Sequence, residues 1–282
     1  MWPGKKARTS ALDSSAPLKV ANPMRSDQEC LRLSLRPGLL TNVSLNEKHS
    51  EDSLRFFELG KVYLPRDGEL PVEKDVLAGV ITQGEGDSEE GFLEAKGVVE
   101  TLLARLGVDA RFEPGSDPSL HPGRVVALKS ENDSLGVMGE VHPQVIEGFD
   151  IESSSVHLFE IDLETLLRHV PSTRSYKPIS RFPGVVRDIA ILVPVETPAR
   201  IVEDLIRSFP LVTGVKLFDL YSGDQVPADK KSLAYRVVYQ SPSRTLTEEE
   251  VSVVQAQLIQ KLNQELGAEL RGTTETRESS SS

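Results

Sequence analysis

VVRDIAILVPVETPARIVEDLIRSFPLVTGVKLFDLY, residues 185–221, decides the fold of the second half of the chain. Val185 to Val193 is dense in β-branched residues and reads as a strand. Thr197-Pro198 then opens a helix over Ala199 to Ser208, with the proline at its first position and Ile201, Val202, Leu205 and Ile206 facing inward. Val212 to Tyr221 is a second strand, and Leu233 to Gln240 a third, joined by a polar loop that carries Gly223, Pro227, Lys230 and Lys231. Thr247 caps a long helix. Glu248, Glu249 and Glu250 fill its first turn, where negative charge meets the positive dipole end, and Glu250 completes a capping box with Thr247. Gly267 ends that helix, and Ala268 to Arg271 is a short last strand. The order β-α-β-β-α-β specifies a ferredoxin-like fold.

Upstream, Pro171, Pro178 and Pro183 interleave with Ser172, Ser175 and Ser180, and prolines exclude a helix interior. This stretch predicts an extended linker, placed at 171–179, between a domain over 17–170 and one over 180–272. Residues 1–16 and 273–282 lack periodicity and are expected to be disordered. In the first domain Leu18 to Pro23 reads as extended. Asp27 to Lys48 has leucines at near-helical spacing interrupted by Pro37-Gly38, which predicts a broken helix. Leu54 to Leu64 and Lys74 to Gln83 read as strands, and Glu94 to Leu106 as a helix with Val98, Leu102, Leu103 and Leu106 on one face, stopped by Gly107. Arg124 to Leu128 and Leu135 to Val141 form a hairpin around Glu131-Asn132-Asp133, His142-Pro143 begins a short helix, and Val156 to Leu163 alternates as a strand. Strands and helices mix without strict alternation, so the class is α+β with a largely antiparallel sheet.

The 282 residues allow two ordinary domains, and 38% hydrophobic against 27% charged residues is a soluble globular composition. The net charge of −11 argues against nucleic-acid binding through a general basic surface. That charge is uneven. Residues 180–272 hold eleven Lys or Arg against twelve Asp or Glu, a net of −1, which leaves −10 to the remainder. Cys30 is the only cysteine, so no intramolecular disulfide and no cysteine-based zinc site forms; beside Leu31 it reads as a small buried thiol. No apolar run approaches the roughly 20 residues that span a bilayer, and no secretory signal precedes the first domain, so a cytoplasmic location without membrane contact is expected.

Catalytic constellations are absent from the pattern. His49, His121, His142, His157 and His169 are scattered, with no metal-binding spacing. Gly84-Glu85-Gly86 lies in an acidic loop that repels phosphate. Glu160 and Asp162 share a strand face and read as an exposed polar row rather than a dyad. Neither a catalytic residue, a metal site nor a bound cofactor is expected on this chain. Arg181, Arg187, Lys216, Lys230, Lys231, Arg236 and Arg244, with Tyr235 and Tyr239, instead cluster on or near the sheet of the second domain. A ferredoxin-like sheet with aromatic and basic residues on its open face is a geometry that stacks RNA bases, although the same fold also serves as a small-molecule regulatory domain.

The residue strings are more specific than the pattern. Phe182-Pro183-Gly184-Val185-Val186-Arg187-Asp188, Phe218-Asp219-Leu220-Tyr221-Ser222-Gly223, Lys231-Ser232-Leu233-Ala234-Tyr235, Arg244-Thr245-Leu246-Thr247 and Gly267-Ala268-Glu269-Leu270-Arg271 come in order. They resemble the ferredoxin-fold anticodon-binding domain of the bacterial phenylalanyl-tRNA synthetase β subunit family. Phe57-Glu58-Leu59-Gly60-Lys61-Val62-Tyr63, His121-Pro122-Gly123-Arg124 and Gly136-Val137-Met138-Gly139-Glu140-Val141-His142-Pro143 resemble its catalytic-like domain. The resemblance implies a class II synthetase-like antiparallel sheet without active-site motifs, packed against an α subunit in an α2β2 heterotetramer that uses ATP and Mg2+ to charge tRNA-Phe. It also implies that the editing and β-side magnesium modules lie outside this chain. For tRNA it implies phosphate contacts from Arg187, Lys231, Arg236 and Arg244 and a base stacked on Tyr235 or Tyr239. The alternative is a protein-interaction scaffold, or a regulatory domain, without RNA.

Overall fold

The computed structural model describes residues 17–24, 29–49, 53–83, 88–173, 181–223 and 226–271. The termini expected to be disordered, and most of the expected linker, lie outside them. Two compact units divide between Ser175 and Tyr176.

In the first unit, β1 (Arg55–Leu64), β2 (Val72–Gln83), β3 (Arg111–Pro114), β4 (Leu120–Ser130), β5 (Asp133–Val141) and β6 (Ser155–Asp162) form one sheet in the order β1-β2-β6-β5-β4-β3. Every described pairing in it is antiparallel. Alternation along the central strands sends side chains to two separate cores. Val76, Ala78, Val80, Val156 and Leu158 pack on one side with Leu39, Leu40 and Val43 of helix α1 (Arg36–Asn46) and with Val145 and Phe149 of α3 (Pro143–Phe149). Ile81, Met138, Phe159 and Ile161 pack on the other with Ala95, Val99 and Leu103 of α2 (Ser88–Leu106) and Leu166 of α4 (Leu163–His169). The sheet is therefore the middle of three layers.

Several expectations fail here for physical reasons. Pro37-Gly38 starts α1 instead of interrupting it, because a proline near the first helical position lacks only an N–H that has no intrahelical partner. The inward stripe of α2 is Ala95, Val99 and Leu103, whereas Val98 is 38% exposed. Cys30 is exposed, in a short antiparallel bridge to Lys19. Glu160 is partly buried rather than exposed. Its Oε2 accepts from Ser34 Oγ at 2.7 Å and lies 3.3 Å from Arg36 Nε. Arg36 itself is buried and donates through Nη1 to Asp117 Oδ2 and Ser119 Oγ, both at 2.8 Å.

The second unit follows the sequence closely. β7 (Val185–Pro194), α5 (Ala199–Arg207), β8 (Val212–Tyr221), β9 (Lys230–Tyr239), α6 (Glu248–Leu266) and β10 (Glu269–Leu270) occur in that order, and the sheet runs β10-β7-β9-β8. Ile189, Ile191, Val193, Leu233 and Val237 face Val202 and Ile206 of α5 and Val251, Leu258 and Leu262 of α6. Each fully buried aliphatic side chain of this kind contributes roughly 1.5–3 kcal/mol. Pro198 occupies the N-cap of α5 rather than the first helical position, and Ile201 is 49% exposed. The capping box of α6 is complete, and Gly267 closes that helix in the left-handed region at φ 62°.

Candidate nucleic-acid interface

Helices α5 and α6 cover one face of the four-stranded sheet and leave the other free of helices, exposed at Arg236 and Phe218 although the small side chains of Ser232 and Ala234 on it are buried. Parity decides which side chains reach it. On β9, Leu233, Tyr235, Val237 and Tyr239 belong to the core, so Ser232, Ala234, Arg236 and Val238 point the other way. Tyr235 and Tyr239 each have 0% exposure. This corrects their expected role, since no base can stack on a ring enclosed by helices. Tyr235 donates its hydroxyl to the Ala199 carbonyl at 2.8 Å, and burial raises its pKa. The Tyr239 hydroxyl finds no partner among the described residues; burial pushes its pKa up to about 12, with Arg187 opposing.

The aromatic residues on the open side are Phe218 and Tyr221, which sequence reasoning did not single out. A register shift between Leu217 and Asp219 puts an extra residue into β8. Before the shift Leu217 faces Tyr235; after it Asp219 faces Ala234 and Tyr221 faces Ser232. The bulge thus moves Asp219 and Tyr221 to the open side, where an unbroken alternation would have turned them inward. Phe218 is 49% exposed and Tyr221 37%. Each carries a guanidinium: Arg236 Cζ lies 5.4 Å from the Phe218 centroid and Arg271 Cζ 5.3 Å from that of Tyr221.

The predicted basic residues separate. Arg236 stands on the open face, held by Asp188 through Nε at 2.9 Å and Nη2 at 2.8 Å. Those hydrogen bonds lower the Asp188 pKa and raise that of Arg236. Arg187 is on the helix side of β7 and pairs with Glu248 at the start of α6. Arg244 precedes α6 and grips Glu250 with both terminal nitrogens, at 2.6 and 2.5 Å, which holds the Glu250 carboxyl down to about 2. Lys231 lies on the helix side at the end of β9, opposite Val193, and Lys216 lies on the open face opposite Arg236. Neither lysine makes an ion pair with a described residue. No group of three or more His, Cys, Asp or Glu that could hold a metal occurs among the described residues.

An antiparallel sheet with one helix-free face bearing exposed aromatic rings, stacked guanidiniums and an unpaired lysine has the geometry that single-strand RNA-binding modules use. Residues 180–271 match the family model of the ferredoxin-fold anticodon binding domain, and residues 4–163 match that of the phenylalanyl tRNA synthetase beta chain CLM domain. The chain belongs to the phenylalanyl-tRNA synthetase β-chain family. It is 38% identical over 261 residues to the phenylalanine–tRNA ligase β subunit of Dehalococcoides mccartyi, covering 90% of this chain and 32% of that protein. The β subunit of Geobacillus kaustophilus is 37% identical over 280 residues (95% and 34%), and that of Symbiobacterium thermophilum 39% over 265 (90% and 30%). The chain thus spans about a third of the length of these relatives. No helix among the described residues is long and apolar enough to cross a membrane.

Proposed function

We propose that this chain works as the C-terminal part of a phenylalanine–tRNA ligase β subunit in the cytoplasm. The domain over 180–272 holds the anticodon region of tRNA-Phe on its open sheet face, and the domain over 17–170 packs against the catalytic α subunit. The observation that carries this reading is the open face itself, with Phe218 and Tyr221 exposed inside the segment that matches an anticodon-binding family. Those rings supply stacking surfaces for unpaired bases, and Lys216 on the same face supplies charge for phosphate, whereas Lys231, on the helix side, serves RNA backbone that runs past the end of the sheet. Arg187 and Arg244 are each already paired with a carboxylate that competes with phosphate for them. In this reading, activation of phenylalanine with ATP and Mg2+ falls to the α subunit of an α2β2 assembly.

In this reading the partner packs against β1. Tyr63 N–H donates to the Arg32 carbonyl, and Arg32 Nε donates to the Lys61 carbonyl, so the odd positions of this edge strand direct their backbone groups away from β2. Along the same row Phe57 is 74% and Leu59 58% exposed. Arg32 covers the Lys61–Tyr63 end of this edge, and the exposed apolar side chains of Phe57 and Leu59 beside it suit a protein partner.

Two measurements test the reading. Anisotropy titration of labelled tRNA-Phe with the full chain and with the Phe218→Ala/Tyr221→Ala variant should show a loss of at least tenfold, from about 1–3 kcal/mol per stacked base. Equal affinity would sink the RNA assignment. Co-expression with a phenylalanyl-tRNA synthetase α subunit should yield a complex by native mass; a chain that stays alone beside it refutes the packing.

A further inference from the structure

One row of the open face reads, strand by strand, Asp188, Arg236, Lys216: Asp188 is in register with Arg236 across β7 and β9, and Arg236 with Lys216 across β9 and β8. Facing residues in such a row have Cβ atoms about 5 Å apart, so Lys216 repels Arg236 and Asp188 attracts it. Asp188 takes the side edge of the guanidinium with both carboxylate oxygens, and this grip leaves Cζ over the Phe218 ring. One of the two edges that can grip a phosphate bidentately is thereby occupied. The outer face of the guanidinium is not, and the three side chains are all solvent-accessible, Asp188 at 45%, Arg236 at 54% and Phe218, as a whole residue, at 49%. A phosphate must displace Asp188 to take that side edge and is otherwise left the end edge with Nη1, next to the Asp188 carboxylate. A nucleobase needs only to lie on top, and guanidinium planes are established stacking partners for unpaired bases.

We propose that Asp188 is a positioning residue that holds Arg236 over Phe218, so that the guanidinium presents a platform for one nucleobase of the anticodon loop instead of a clamp for a phosphate. The proposal rests on the anticodon-binding reading above and changes the role of Arg236 within it. It separates two properties that a phosphate contact joins, since stacking depends on the planar, fixed guanidinium and charge alone does not supply it.

The test uses the full chain and the tRNA-Phe anticodon stem-loop RNA, with 2-aminopurine placed at one loop position at a time. Affinity and fluorescence quenching are measured from low to high salt. Arg236→Lys and Arg236→Ala are expected to lose affinity within twofold of each other, each by roughly five- to hundredfold, and to abolish the quench at one nucleotide. Asp188→Asn is expected to weaken the quench at that nucleotide while steepening the log-log salt slope by about 0.7, the increment for one added contact to a single strand. Wild-type affinity in Arg236→Lys, combined with a slope flattened by about 0.7 in Arg236→Ala, would make Arg236 a phosphate contact and overturn the proposal. So would an Asp188→Asn variant that binds more tightly with the quench unchanged, since Asp188 would then act only by repelling RNA. A wild-type chain that binds no RNA overturns the anticodon reading and the platform together, which distinguishes that failure from the other two. Far-UV melts of each variant verify that the fold is intact.

Discussion

Replacing Arg36 by alanine probes the first unit where its energetics are most one-sided. The Arg36 side chain is 3% exposed, Asp117 4% and Glu160 16%. Its removal leaves two carboxylates facing a low-dielectric interior, with serines as their remaining hydrogen-bond donors. Deleting one partner of a buried ion pair costs about 3–5 kcal/mol, because the survivor stays desolvated and uncompensated. For a unit of this size that is a fall of roughly 10 °C in Tm. The deficit must also depend on pH. Burial pushes the Asp117 carboxyl up, but the Arg36 charge and the hydrogen bonds from Ser119 and Arg36 outweigh it, so its pKa lies below the ordinary 3.8. A depressed pKa contributes stability above the unfolded value and loses it as the pH falls through the folded one. Without Arg36 that pKa rises, so the variant suffers most at neutral pH and its deficit shrinks as the pH drops toward 4. Urea unfolding followed by far-UV circular dichroism at pH 7.5 and 4.5 measures both effects. A loss under 1 kcal/mol at pH 7.5, or an equal loss at both pH values, would refute the reasoning.

Two further pairs of substitutions test the packing. Tyr235→Phe removes the hydroxyl that donates to Ala199 and should cost about 1 kcal/mol, whereas Tyr239→Phe removes a buried hydroxyl without a described partner and should be neutral or stabilising; equal losses in urea melts would contradict this. Gly136→Ala places a Cβ 2.1 Å from the Glu160 carbonyl oxygen, a backbone atom, and should cost about 1–3 kcal/mol or more. Gly97→Ala meets nothing within 4 Å inside a helix and should stabilise by about 0.8–1 kcal/mol, so thermal shifts of the same sign for both glycines would be wrong.

The signals carried by the amino-acid string are local. Thr247 with Glu250, Gly267, and the run of strand and helix signals between Val185 and Arg271 act within a few residues of one another, and each ends or begins its element where those signals lie. The family strings carried the assignment of both halves for the same reason, since an ordered series of short motifs is a property of the chain alone. The burial of Tyr235 and Tyr239, expected above to stack a base, had a signal in the sequence: they keep step with Leu233 and Val237, and period two along a strand puts all four on one face. Their place in the core follows from that alternation, which outweighs the general preference of RNA-binding sheets for tyrosine.

Other features only the tertiary structure decided. Nothing in the string VKLFDLY announces that β8 gains a residue between Leu217 and Asp219, yet that shift alone carries Tyr221 to the open side. Arg36 and Asp117 lie 81 positions apart and Asp188 and Arg236 48, so neither pair leaves a trace in local spacing. Pairing of β7 with β9 brings Asp188 to Arg236, whereas Arg36, at the start of α1, meets Asp117 in the segment between β3 and β4 through packing of the helix on the sheet. In the first unit burial makes the partner obligatory, and on the exposed sheet the row of charges only favours it.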